Sequence, residues 1–103
     1  MKTVIDKSYY GWKAETAVDV GNDAEIHIVT MKRSSGAIIT TAIRGKVKDD
    51  MFTYMPFSDF NKTYKVSNDR CTEKNVKLQH ESVLADIEAI KADCVSFYQS
   101  REK

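Results

Sequence analysis

The sequence predicts an α+β fold, a four- to five-stranded antiparallel β-meander packed on one long C-terminal helix. Three observations carry that expectation. Between about residues 9 and 66, apolar side chains alternate with polar ones and are punctuated by turn residues. From about residue 72 to residue 99 the apolar spacing changes to alternating fours and threes, which is a helical stripe. The length of 103 residues, with 42% apolar content, suits one folded unit whose core needs neither disulfide nor metal.

The first predicted strand shows Tyr10, Trp12, Ala14, Thr16, Val18 and Val20 on one side, with Lys13, Glu15 and Asp19 between them. Period two over this length describes a half-buried strand with one wet face. Gly21-Asn22-Asp23 supplies the turn, since Gly and Asn tolerate positive φ. A second strand runs from about Ala24 to Lys32, and Arg33-Ser34-Ser35-Gly36 reads as a hairpin connection. The third runs from Ala37 to about Lys48, with Gly45 as a bulge or its practical end. Lys48-Asp49-Asp50 turns into a fourth strand, Met51 to about Met55, which Pro56 stops because it has no ladder donor. Phe57 to Lys62 reads as loop, Thr63 to Val66 as a short fifth strand, and Ser67-Asn68-Asp69 ends the β region.

In the helix, Val76, His80, Val83, Ile87, Ile90, Cys94 and Phe97 form the stripe, widened by Leu84, Val95 and Tyr98. Thr72 is the expected N-cap, with Glu73 in the first turn and Arg101 near the opposite end, as the helix dipole favours. Ser82 is the alternative start.

Charge excludes several partners. The 16 basic and 15 acidic residues leave a net charge of +1, too little to steer nucleic acid or anionic lipid. Lys2, Asp6 and Lys7 interrupt any apolar signal-peptide region. No apolar run approaches the ~20 residues of a membrane span. A cytoplasmic location is the expectation. Cys71 and Cys94 have no metal-ligand or CxxC spacing. On a continuous helix they would lie about 34 Å apart at ~1.5 Å per residue, beyond the roughly 7 Å that a disulfide spans.

No catalytic, cofactor-binding or metal set emerges. His27 and His80 lack ligand spacings such as HxH or HExxH, and neither accompanies a nucleophile motif. His80 sits in the apolar stripe and reads as a hydrogen-bonded structural residue. Lys32, Arg33, Arg44, Lys46 and Lys48 do not make one basic patch, because the hairpin separates its tip from its open end by about 25–30 Å at ~3.3 Å per residue. Arg44 near Glu25 and Lys46 near Asp23, give or take one register step, read as cross-strand ion pairs, which leaves nucleic-acid binding a weak third reading.

One pattern goes beyond a plain globular domain. Ile26 and Ile28 oppose Val29 and Met31 across the second strand, and Ile38 and Ala42 oppose Ile39 and Ile43 across the third. Both sheet faces are therefore apolar, whereas one helix covers one face. The second face is to be covered by the segment around Val4 and Ile5, by the Phe57–Phe60 loop, or by something outside the chain. The leading functional expectation is a non-enzymatic module that self-associates or binds another protein, with Val29, Met31, Ile87 and Phe97 as candidate interface residues. The alternative is an apolar small molecule held between sheet and helix by Trp12, Phe52, Tyr54 and Tyr64, with His80 at the mouth. No cofactor is expected for either.

Overall fold

The computed structural model describes residues 2–101 and forms an α+β fold, a curled antiparallel sheet carrying a pair of C-terminal helices. Strands β1 (Lys2–Ser8), β2 (Gly11–Gly21), β3 (Ala24–Lys32) and β4 (Ile38–Lys48) follow one another as a meander. The far edge of β4 is shared. Strand β5 (Met51–Thr53) pairs with Lys46–Lys48, and β6 (Asn61–Ser67) returns to pair along Ile38–Ile43.

Turn chemistry closes the hairpins where the sequence places it. Asn22 and Asp23 have φ of 55° and 56°, and Asp49 and Asp50 have 52° and 63°. Two successive left-handed residues make the turn whose twist matches the flanking strands, and Asn and Asp tolerate that region better than bulkier residues.

Three expectations are corrected. The meander begins at Lys2, since β1 pairs with β2 along its whole length. As an edge strand β1 keeps Lys2, Asp6 and Lys7 exposed, so it has almost no alternating signature, and its charges discourage pairing on its outer edge.

The single helix is two. Helix α1 (Glu73–Leu84) starts at Thr72, whose Oγ1 accepts from the Asn75 N–H, and Ser82 lies inside it. Helix α2 (Ile87–Arg101) follows after Ala85 and Asp86. There the Asp86 N–H tightens onto the Val83 carbonyl at 2.9 Å, while the Asp86 carbonyl accepts from Ile90. A strict seven-residue repeat drifts by roughly 20° per heptad on a straight helix. The break re-aims the stripe, so Val76, His80 and Val83 in α1 and Ile90 and Cys94 in α2 are all buried.

The third correction concerns the cross-strand ion pairs. Arg44 stands opposite Ile26 and Lys46 opposite Ala24, within the one register step allowed, but among the described residues neither cation forms a salt bridge. Arg44 therefore faces the helices, with its guanidinium 4.5 Å from the centre of the Tyr98 ring, and Glu25 pairs with His27 instead.

The core lies between the sheet and the helices in two clusters. The larger gathers Ile26, Ile28, Ala42, Phe60, Val83, Ile90 and Cys94; the smaller gathers Ala14, Ile38 and Val76, with Trp12, Ile5 and Cys71 packed against it. On β4, Thr40 sits between Ile38 of one cluster and Ala42 of the other. Burying each Ile side chain contributes about 1.5–3 kcal/mol.

Candidate functional site

The second sheet face follows from strand alternation and register. Val29 stands beside Thr41, Met31 beside Ile39, His27 beside Ile43, and Ile39 beside Val66. The result is a contiguous strip of Val29, Met31, Ile39, Ile43 and Val66 running across β3, β4 and β6. A groove of about 320 Å³ lies along it, flanked by Arg33 and Asn61. Met31 is 37% exposed and Val66 57%.

Neither segment that the sequence offers as a cover folds over this face. Ile5 turns toward Trp12 on the helix side, and Val4, beside Glu15 in β1, extends the second face as part of the same sheet and is exposed. Phe57 is exposed, whereas Phe60 is buried against Phe97 on the helix side. The Phe52 side chain folds over one end of this face. Its ring stacks on His27 with centroids 3.7 Å apart and planes at 15°. Gly45 permits this, since a Cβ there would lie 2.7 Å from the Phe52 ring.

His27 ends the apolar strip with a polar cluster. Its Nδ1 lies 3.1 Å from Glu15 Oε2 and its Nε2 lies 2.9 Å from Glu25 Oε1, and Lys13 reaches Glu15 at 3.3 Å. Two carboxylates on opposite edges of one ring do not converge on a common ion, and no group of three potential ligands forms among the described residues. The face is polarised along β3. Glu25, paired with Asp19, lies at one end; Arg33, with Lys13 paired to Met31, lies at the other.

The other candidate interface residues are on a different surface. Ile87 and Phe97 are half-buried and pack onto the larger core cluster from α2. The five candidate pocket residues are dispersed. Trp12 joins the smaller cluster, where the Cys71 thiol approaches its carbonyl at 3.7 Å, and Phe52 lies on the second face. The Tyr54 hydroxyl accepts from Asn61, and the Tyr64 hydroxyl donates to Asp93 at 2.7 Å. Burial, then the bond to Asp93 and that carboxylate's charge, push the Tyr64 phenol up; the same bond and Lys62 hold the Asp93 carboxyl below its usual range. This group braces β6 against α2.

His80 is 1% exposed and sits inside a buried hydrogen-bonded chain. Gln79 Nε2 donates to the Ile38 carbonyl at 3.1 Å, which fixes the amide because a carbonyl only accepts. It also donates to Thr40 Oγ1 at 3.1 Å. The Thr40 hydrogen then points to Thr30 at 2.7 Å, and the Thr30 hydrogen to His80 Nδ1 at 2.8 Å. His80 then donates from Nε2 to Thr16 at 2.7 Å, and Thr16 Oγ1 lies 2.7 Å from Thr3 Oγ1. Hydrogen-bond logic thus assigns the Nε2–H tautomer. A second ring proton would turn the Thr30 hydroxyl back on Thr40 and leave one hydrogen without an acceptor. Burial lowers the His80 pKa below its ordinary value against the weaker opposing fields of Glu81 and Glu15. Its position fits a structural histidine.

Sequence reasoning missed two features whose signals were present. Thr16, Thr30 and Thr40 all fall at core-facing parity, as does the cation Arg44, and each implies a partner across the core. Cys71 and Cys94 are both free, and burial pushes the Cys94 thiol up. No helix among the described residues is long and apolar enough to cross a membrane. No protein-family model matches the chain, and no match appears among curated proteins or solved structures.

Proposed function

We propose that this chain is a non-enzymatic interaction module that self-associates through the second face of its sheet. The observation that carries the reading is the strip of Val29, Met31, Ile39, Ile43 and Val66, with Met31 and Val66 exposed and the rest half-buried, over which neither expected covering segment folds. Contiguous apolar surface of this kind marks an association site in proteins that remain in solution.

A second copy fits the strip in both shape and charge. Sheets pack face to face about 10 Å apart. An interface between identical copies requires a self-complementary patch. Val29 is midway between Glu25 and Arg33 along the chain. A twofold axis lying between two sheets and crossing β3 at Val29 runs the two β3 strands antiparallel. It sets Glu25 against Arg33 of the second copy, and Ile39 against Ile43 on β4. The ends of the strip then attract, and at its middle Val29 and Thr41 each meet their own counterpart.

Sedimentation equilibrium from about 1 µM to about 1 mM tests this, a range that captures weak and strong dimers alike. The expected result is a mass rising from 11.7 kDa toward twice that value. Met31→Asp abolishes the rise and Arg33→Glu weakens it, while Glu25→Arg combined with Arg33→Glu restores it. A monomer at every concentration refutes the reading. A dimer indifferent to Met31→Asp moves the interface elsewhere, and a stable complex with a different protein through Met31 replaces self-association by the heterotypic form.

A further inference from the structure

On the opposite side of the sheet, a cleft of about 560 Å³ opens between the β2–β3 turn and α2. Val20, Ile26 and Cys94 form an apolar floor, and Val95 stands at the rim, 55% exposed. Two cations, Arg44 and Lys91, line it as well.

Arg44 is the unusual element. It occupies a core-facing position opposite Ile26, half-buried, where a charge needs a partner. Its guanidinium carbon lies 4.5 Å from the centre of the Tyr98 ring, and Tyr98 is itself fixed. Its hydroxyl accepts from the Phe60 N–H at 2.9 Å and donates to Asp59 at 3.2 Å. An arginine held over an aromatic ring keeps its in-plane N–H fork for a planar anion. Among the described residues, no carboxylate or carbonyl takes that fork. Lys91 is only loosely engaged, 3.4 Å from a Glu88 side chain that is 84% exposed. The rim acid Asp19 is committed to its own turn, accepting from the Gly21 N–H at 2.7 Å.

We infer that this cleft binds a small amphipathic carboxylate, with its head on Arg44 and Lys91 and its apolar body on Val20, Ile26 and Val95. One fork and one ammonium, with Asp19 at the rim, suit a singly charged head better than a doubly charged phosphate. The volume lies within the range of small-molecule sites, about 300–1,000 Å³. The site is separate from the second sheet face and stands or falls without it.

Octanoate is the probe, with octanol and acetate as controls, followed by amide chemical-shift titration of the ¹⁵N-labelled chain. Octanoate is expected to give saturable shifts at Asn22, Val95 and Gln99 while Val29 and Ile39 stay still. Octanol lacks the head and acetate the body, so each binds at least about tenfold more weakly. Arg44→Gln and the surface substitution Lys91→Gln each weaken octanoate by about tenfold or more, and the second keeps the test intact if the first disturbs folding. The inference is overturned by the absence of saturable shifts up to ~10 mM octanoate, which corresponds to a binding free energy of only about −2.7 kcal/mol. It is also overturned if octanol matches octanoate, or if Lys91→Gln leaves the affinity unchanged.

Discussion

Thr30→Val removes one hydroxyl from the middle of the buried chain while nearly conserving side-chain volume. Thr30 Oγ1 lies 2.7 Å from Thr40 Oγ1 and 2.8 Å from His80 Nδ1, and Thr30 is fully buried. The substitution orphans two groups at once. Nδ1 of His80 loses its donor, and the Thr40 hydroxyl loses its acceptor. Each buried polar group left unmatched costs about 1–3 kcal/mol, partly offset by the more favourable burial of a methyl than a hydroxyl. A net destabilisation of about 2–4 kcal/mol is expected, which corresponds to a fall in Tm of roughly 10–25 °C for a chain of this size. Urea unfolding followed by far-ultraviolet circular dichroism measures it, with Thr41→Val as the control. Thr41 is the next residue on β4 after Thr40, but its side chain is on the second face, half-buried, with no side-chain hydrogen bond among the described residues. Its substitution is expected to stay within about 0.5 kcal/mol of the native chain. If Thr30→Val costs no more than Thr41→Val, the polar chain does not hold the core together and the tautomer derived from it fails too.

The same chain sets a pH dependence. Because burial lowers the folded pKa of His80, the unfolded chain takes up the proton first as pH falls. The stabilisation is complete above the unfolded value of about 6.5 and declines below it by up to ~1.4 kcal/mol per pH unit, until the lower folded value is reached. Comparing native and His80→Gln unfolding free energies between pH 7.5 and 5.5 isolates this slope from that of the carboxylates; equal slopes would sink the argument. Gly45→Ala would set a Cβ against the Thr53 carbonyl and 2.7 Å from the Phe52 ring. It is expected to destabilise by about 1–3 kcal/mol. Adding Phe52→Ala relieves only the ring clash, so Gly45→Ala remains destabilising in that background; a neutral Gly45→Ala means β5 does not lie over Gly45.

Much of the sheet was legible because β2, β3 and β4 each bury one face under the helices, and burial writes period two into a sequence. Edge strand β1 escaped for the converse reason, since neither of its faces is deeply covered and Lys2, Asp6 and Lys7 erase the alternation. The helix break escaped because the apolar stripe runs through Ala85 and Asp86 without a Gly or Pro to mark it. The two-faced apolar pattern was readable from Ile28 against Val29 and from Ile38 against Ile39. What covers each face was not, since Phe52 reaches His27 through a three-residue strand whose orientation depends on the tight Asp49-Asp50 turn. The clustering expected of Trp12, Phe52, Tyr54, Tyr64 and His80 fails on placement: composition marks aromatic residues as buried without saying which side of a sheet they join.

Two apolar faces pose an orientation problem for the folding chain, because hydrophobicity alone rewards the helices for landing on either side. The row Thr16, Thr30, Thr40 settles it. On that side three hydroxyls in a row receive Gln79 and His80, whereas the face of Val29 and Ile39 carries Thr41 and Thr63 as one pair and offers no such row. A one-residue slip of β3 against β4 would likewise pull Thr30 away from Thr40. The threonines therefore act as a key cut into one side of an otherwise reversible sheet. Handedness of assembly here rests on a few polar contacts, while most of the driving force comes from greasy side chains that could serve either arrangement.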